Sequence, residues 1–132
     1  MSELEVERIK KRLLRQMLHA PKNKCPTVDD TGELEGLVEK CRVVVADFWA
    51  PWCGPCRLVE PVIGRLERRY GGKAAFARVN IDFHPEVASR YEVMGVPTVI
   101  VFNKGREVER FVGYSPLLYG KLDALLKRLT GP

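Results

Sequence analysis

The sequence predicts an α/β domain built on one mixed sheet of four to five strands with helices on its faces, preceded by an amphipathic helix. Apolar runs rich in β-branched residues, VVVADF (43–48), AAFARVNI (74–81) and PTVIVF (97–102), alternate with segments whose apolar residues recur every three or four positions. Such an alternation is how helices come to cover a sheet, and runs with little polar interruption suit strands covered on both faces. The turn NKG (103–105), followed by REVERFV (106–112), adds a hairpin and therefore an antiparallel strand.

Taken in order, residues 2–18 form a helical pattern. Ser2 and Glu5 have capping-box spacing, and Val6, Ile9, Leu13 and Met17 make a stripe that Leu14 and Leu18 widen. Ala20–Pro21 ends it, and PKNKCP (21–26) reads as a linker. Thr31-Gly32-Glu33 opens a short helix with Leu34, Leu37, Val38 and Cys41 on its apolar face. After the strand at 43–48 a helix runs to Tyr70. Cys56, Val59, Ile63, Leu66 and Tyr70 are its buried stripe, Pro61 should kink it, and Gly71-Gly72 stops it. A short helix at 84–91 carries Pro85 in its first turn. Ser115-Pro116 should start the last helix as N-cap and first residue, with Leu118, Leu122, Leu125 and Leu129 facing inward and Gly131 after its end. The expected division is a basic helix and linker over 1–24 and a folded domain over 25–132.

The chain of 132 residues, 45% hydrophobic, suffices for one domain with a real core. No apolar run approaches the ~20 residues of a membrane span. The start mixes acids and bases without an apolar h-region, so a cytoplasmic protein is expected, with its thiols kept reduced. The net charge of +5 is uneven: residues 1–24 hold seven Lys/Arg against three Asp/Glu. A solvated helix face explains this better than nucleic-acid binding, because interleaved aromatics and nucleic-acid motifs are missing.

The stretch WAPWCGPCR (49–57) carries the chemistry. Cys53 falls at the carboxyl end of a strand and at the start of a helix, where unpaired N–H groups and the helix dipole favour a thiolate. Cys56 lies about one helical turn on, at the head of the apolar stripe, and Pro55 is suited to the first turn between them. An exposed attacking thiol and a shielded resolving thiol are expected. Zinc ordinarily needs four ligands, and Cys25, Cys41, His19 and His84 are singly placed, so no metal is expected. A static disulfide is disfavoured in a reducing compartment.

The segments VVVADFWAPWCGPCRLVEPVI, VNID, GVPTVIVFNKG and FVGYSP, in this order and spacing, closely resemble thioredoxin over about residues 27–130. The resemblance implies the thioredoxin fold and a protein-disulfide reductase that works by thiol–disulfide exchange. Cys53 would attack a substrate disulfide, and Cys56 would resolve the mixed disulfide. Gly54 and Pro55 complete the active-site loop. Asp47, six residues before Cys53, matches a buried aspartate suited to proton exchange with Cys56; the competing reading is a hydrogen-bonded core carboxylate. Arg78 stands where many members carry lysine, and its guanidinium can tune charge but not shuttle protons. Pro97 matches a cis-proline facing the cysteines, and Val96 would offer its backbone to an extended substrate. Trp49, Trp52, Gly95 and Gly113 match the apolar surface around the thiols, with Trp52 the favoured contact and Trp49 as readily core.

The implied partners are disulfide-containing proteins and a thioredoxin reductase that supplies electrons, with no bound cofactor. Cys41 reads as a small buried hydrophobe. A Cys25–Cys41 bridge is disfavoured, because in the family fold another strand separates the two segments by ~9–10 Å. The alternatives are a net oxidase or isomerase, and a redox-gated binding module gripping a partner through residues 1–24. The apolar stripe of 2–18 needs cover from this domain, a second copy or a partner, with a membrane surface less favoured. Oligomeric state stays open.

Overall fold

The computed structural model describes residues 2–18, 25–28 and 32–131. The elements are α1 (Glu3–Leu18), β1 (Thr27–Val28), α2 (Leu34–Lys40), β2 (Val43–Trp49), α3 (Cys56–Tyr70), β3 (Ala75–Asn80), α4 (Pro85–Arg90), β4 (Thr98–Asn103), β5 (Arg106–Val112) and α5 (Leu118–Thr130). The five strands form one sheet in the order β1-β3-β2-β4-β5. β1, β3 and β2 run parallel, whereas β4 and β5 are antiparallel to their neighbours. The expected mixed sheet is therefore present with five strands.

Strand parity divides the core. Val43 and Val45 of β2 join Phe76 of β3 and Val99 and Val101 of β4 beneath α3 and α5. Val44, Ala46 and Phe48 face the other way, with Ala75, Ala77, Ile100 and Phe102, and meet α2 and α4. Successive strand residues alternate faces, so a fully apolar run at 43–46 is what a doubly covered strand requires. Asp47 breaks the run, and by parity it lies on the α3/α5 face with Val43 and Val45.

The Ser2–Glu5 cap is formed: the Glu5 N–H donates to Ser2 Oγ at 3.3 Å. Leu4, Val6 and Ile9 of α1 are exposed. The Ala20–Pro21 stop, the linker over 21–24 and Thr31 lie outside the described residues. In α3 the expected stripe of Cys56, Val59, Ile63, Leu66 and Tyr70 is the buried face, and Pro61 sits inside the helix. Gly71 caps it at a close approach, since a Cβ there would lie 2.6 Å from the Glu67 carbonyl oxygen. In the β4–β5 hairpin Lys104 and Gly105 have φ values of 53° and 82°. Both central residues are left-handed, the geometry whose twist matches paired strands.

Two local expectations are corrected. α5 begins at Leu118, two residues beyond Pro116. Ser115 still closes the preceding turn, its Oγ accepting the Leu117 N–H at 3.1 Å and its carbonyl the Leu118 N–H at 2.9 Å. The first turn is thus tighter than an α-turn, as helix starts often are. Leu126 is also buried beside Leu118, Leu122 and Leu125, while Leu129 is only partly covered.

The larger correction concerns Cys25 and Cys41, which form a disulfide with a Cα–Cα separation of 5.9 Å. Strand spacing governs residues that both lie on strands of the sheet, and Cys41 does not. Cys25 precedes β1 and bridges to Gly72 ahead of β3. Cys41 is the C-cap of α2 and lies on the sheet's face. On that face β3 presents the small side chains of Ala75 and Ala77. Closing a loop of this length restricts the unfolded chain by about 3 kcal/mol. The double substitution Cys25→Ser/Cys41→Ser should therefore lower the melting temperature by roughly 10 °C, read by calorimetry with Cys53–Cys56 kept oxidised; an unchanged melt would show that the bridge carries no stability.

Candidate active site

β2 delivers the chain to the site. Its last residue, Trp49, is followed by a turn in which the Cys53 N–H donates to the Ala50 carbonyl at 3.1 Å. Pro55 has φ −61° and ψ −24°, already helical, and α3 starts at Cys56. Cys53 and Cys56 are bonded to each other, with Cα atoms 5.4 Å apart. The Cys56 N–H donates to Cys53 Sγ at 3.2 Å. An N–H left over at a helix start thus points at the sulfur expected to carry negative charge in the reduced protein.

The expected contrast in exposure is not present. Cys53 is 4% exposed and Cys56 6%. In the bonded pair both sulfurs pack with Ala50, and Trp49, Ile81 and Val96 close around them. The two cysteines differ instead in position: Cys53 receives the helix-start N–H, and Cys56 heads the buried face of α3.

Beneath the pair is a cleft of ≈ 280 Å³, whose lining includes Asp47, Cys53, Cys56, Arg57, Glu60 and Arg78. Asp47 is 3% exposed, and its Oδ1 is buried without a hydrogen-bond partner among the described residues. Burial, the largest influence, pushes the Asp47 pKa up to about 7; Arg78 draws it down, and Glu60 and Glu67 push it further up. Arg78 is the register partner of Asp47 on β3. Its Nη1 also lies 2.6 Å from Glu67 Oε1 on α3.

On the opposite side the Val96–Pro97 peptide bond is cis. Val96 packs against the cysteine cluster. The segment leading to it is braced from β5, where Arg110 donates to the carbonyls of Tyr91 at 2.7 Å and Glu92 at 2.9 Å. Thr98 Oγ1 donates to the Gly95 carbonyl at 2.7 Å, and the Gly113 N–H to the Pro97 carbonyl at 2.8 Å. Gly113 takes φ 82° there. Trp52 is 69% exposed, with its Nε1–H donating to Asp82 Oδ1 at 3.2 Å, while Trp49 is half-buried.

The expected residues Asp47, Cys53, Cys56 and Arg78 thus line one cleft, with Gly54 and Pro55 in the loop above it. Val96 meets the cysteines from the other side, and Gly95, Pro97 and Gly113 are tied into its support. Sequence reasoning missed Glu60, Glu67, Ile81, Asp82 and Arg110. Glu60 and Glu67 had a legible signal, because a seven-residue spacing puts both on one face of α3 beside the apolar stripe. Among the described residues no cluster of His, Cys, Asp and Glu could hold a metal ion.

The thioredoxin family model matches residues 27–126. The chain belongs to the thioredoxin family. It is 40% identical over 91 residues to a thioredoxin of Synechocystis, covering 69% of this chain and 85% of that one. To the chloroplastic M-type thioredoxin of Zea mays it is 44% identical over 90 residues, covering 67% of this chain but only 54% of the plant protein. Among solved structures, a point mutant of a thioredoxin from Halobacterium salinarum superposes with a TM-score of 0.70 at 35% identity, over 83% of this chain and 95% of that one. With its bonded cysteine pair in the thioredoxin fold, the chain is a thiol–disulfide oxidoreductase of the protein-disulfide reductase type. No described helix is long and apolar enough to cross a membrane.

Proposed function

We propose that this thioredoxin-family chain reduces disulfides of folded or partly folded proteins through a mixed-disulfide intermediate. The Cys53 thiolate attacks one substrate sulfur and displaces the other as a thiolate. Cys56 gives its proton to Asp47 and attacks Cys53 Sγ. The second substrate thiolate leaves, and Cys53–Cys56 is left oxidised. The observation that carries this reading is the Cys56 N–H aimed at Cys53 Sγ, which favours Cys53 as the thiolate.

Val96 supports the substrate role assigned to it. It borders the cysteines, and none of the backbone hydrogen bonds among the described residues engages it. An extended substrate segment would pair with that free backbone, with Trp52 as an apolar contact. A thioredoxin reductase would return two electrons to the disulfide, and the cytoplasm is the compartment that suits such a cycle. The division between a leader over 1–24 and the domain over 25–132 is consistent with the family match beginning at Thr27.

Insulin reduction tests the reading. The parent, regenerated with dithiothreitol, should precipitate the insulin B chain, and Cys53→Ser should lose about a thousandfold or more of the rate. Equal rates for the two proteins would refute it.

A further inference from the structure

Arg78 faces two carboxyl groups. Across the β2–β3 ladder it is opposite Asp47, and from α3 it is met by Glu67, Nη1 to Oε1 at 2.6 Å. Both members of that ion pair are largely buried, with side chains 15% and 21% exposed. The contact is ionic, since Glu67 Oε1 receives no aligned hydrogen bond. Asp47 Oδ1, by contrast, is left with no partner at all among the described residues. Of the two carboxyl groups beside it, Arg78 makes its ion pair with the one on α3 and not with Asp47.

We propose that Glu67 is a positioning residue, holding the Arg78 guanidinium toward α3 so that its charge acts on Asp47 across the ladder without a direct ion pair, and so setting the pH window in which Asp47 can trade a proton with Cys56. The inference rests on the proton role of Asp47 proposed above. The other groups around Asp47 are few. Glu60 adds a negative charge from α3, Arg57 lines the cleft, Val99 is the apolar register partner on β4, and Cys53 and Cys56 close the top. The direction of each influence agrees with the geometry: burial raises the proton affinity of Asp47, Arg78 lowers it, and Glu60 and Glu67 raise it. Removing Glu67 acts twice in one direction, because an anion is lost and the cation is released to Asp47.

The test is a carboxyl-carbon NMR titration of Asp47 in the oxidised full chain, together with the pH profile of insulin reduction. Glu67→Gln should lower the Asp47 midpoint by about one pH unit, and Arg78→Gln should raise it by about as much. Arg78→Lys keeps the charge and should stay near the parent. Opposite shifts cannot arise from a merely structural defect, which would move both variants the same way. A midpoint unmoved in Glu67→Gln, or moved upward, overturns the proposal. Should Glu67→Gln be poorly folded, Glu67→Asp, which keeps the charge but draws it back from Arg78, should also lower the midpoint, and an unmoved midpoint there overturns the proposal. If the NMR midpoints move as expected while the rate profiles stay fixed, the positioning stands and the proton role of Asp47 is what fails.

Discussion

Replacing Cys56 with serine should stop turnover, by about a thousandfold or more, and should leave the chain covalently attached to its substrate. Serine is close to cysteine in size, so the buried face of α3 survives the change. Cys53 keeps the N–H of residue 56 and can still attack. What is lost is the sulfur that would reach Cys53 and expel the substrate. One substrate chain per molecule, bound through Cys53 and released by dithiothreitol, should appear by mass spectrometry. An adduct that fails to form would reverse the roles given to the two cysteines.

The second large effect is on stability and comes from Asp47. Its carboxyl has a pKa of about 7 in the folded chain, against ~3.9 when unfolded. Between those values the folded state binds the extra proton. This contribution to stability is therefore fully present below about pH 4 and is lost as pH rises through about 7. At 1.4 kcal/mol per pKa unit the total reaches about 4 kcal/mol. Asp47→Asn cannot ionise, so the oxidised variant should exceed the parent by up to that amount at pH 8 and should match it near pH 4. Urea melts at the two pH values give the comparison directly. A gain that is the same at both would mean that packing, and not charge burial, is responsible.

How much of this was legible beforehand depends on whether the cause was local. The apolar run at 43–48 required a doubly covered strand, and such a strand can only deliver Cys53 to its carboxyl end. Asp47 was found through the family resemblance, six residues before Cys53, whereas its place on the face that α3 covers needed the fold. The stripe of α3 was complete in the sequence because helical spacing alone defines it. What was missed depends on segments meeting in space. The Arg78–Glu67 pair joins a strand to a helix, and Arg110 reaches from β5 to carbonyls near residue 91. The Cys25–Cys41 bridge was misjudged because strand spacing says nothing about Cys41, which stands off the strands. The exposure of Cys53 was misjudged because a bonded pair shares one packing environment, with Trp49, Ile81 and Val96 around both sulfurs.

β5 forms one edge of the sheet and carries Arg106, Glu107, Glu109 and Arg110 along a mostly exposed strand. Its register with β4 is interrupted by a bulge between Val101 and Phe102. At the opposite edge β1 is only two residues long. Charged, bulged or very short edges give a stray strand little to add to. Under the proposed function the chain would work among exposed extended segments of its substrates. Such borders would keep that company from adding to the sheet, and a disulfide-bearing strand would be left the backbone at Val96, the contact proposed for it.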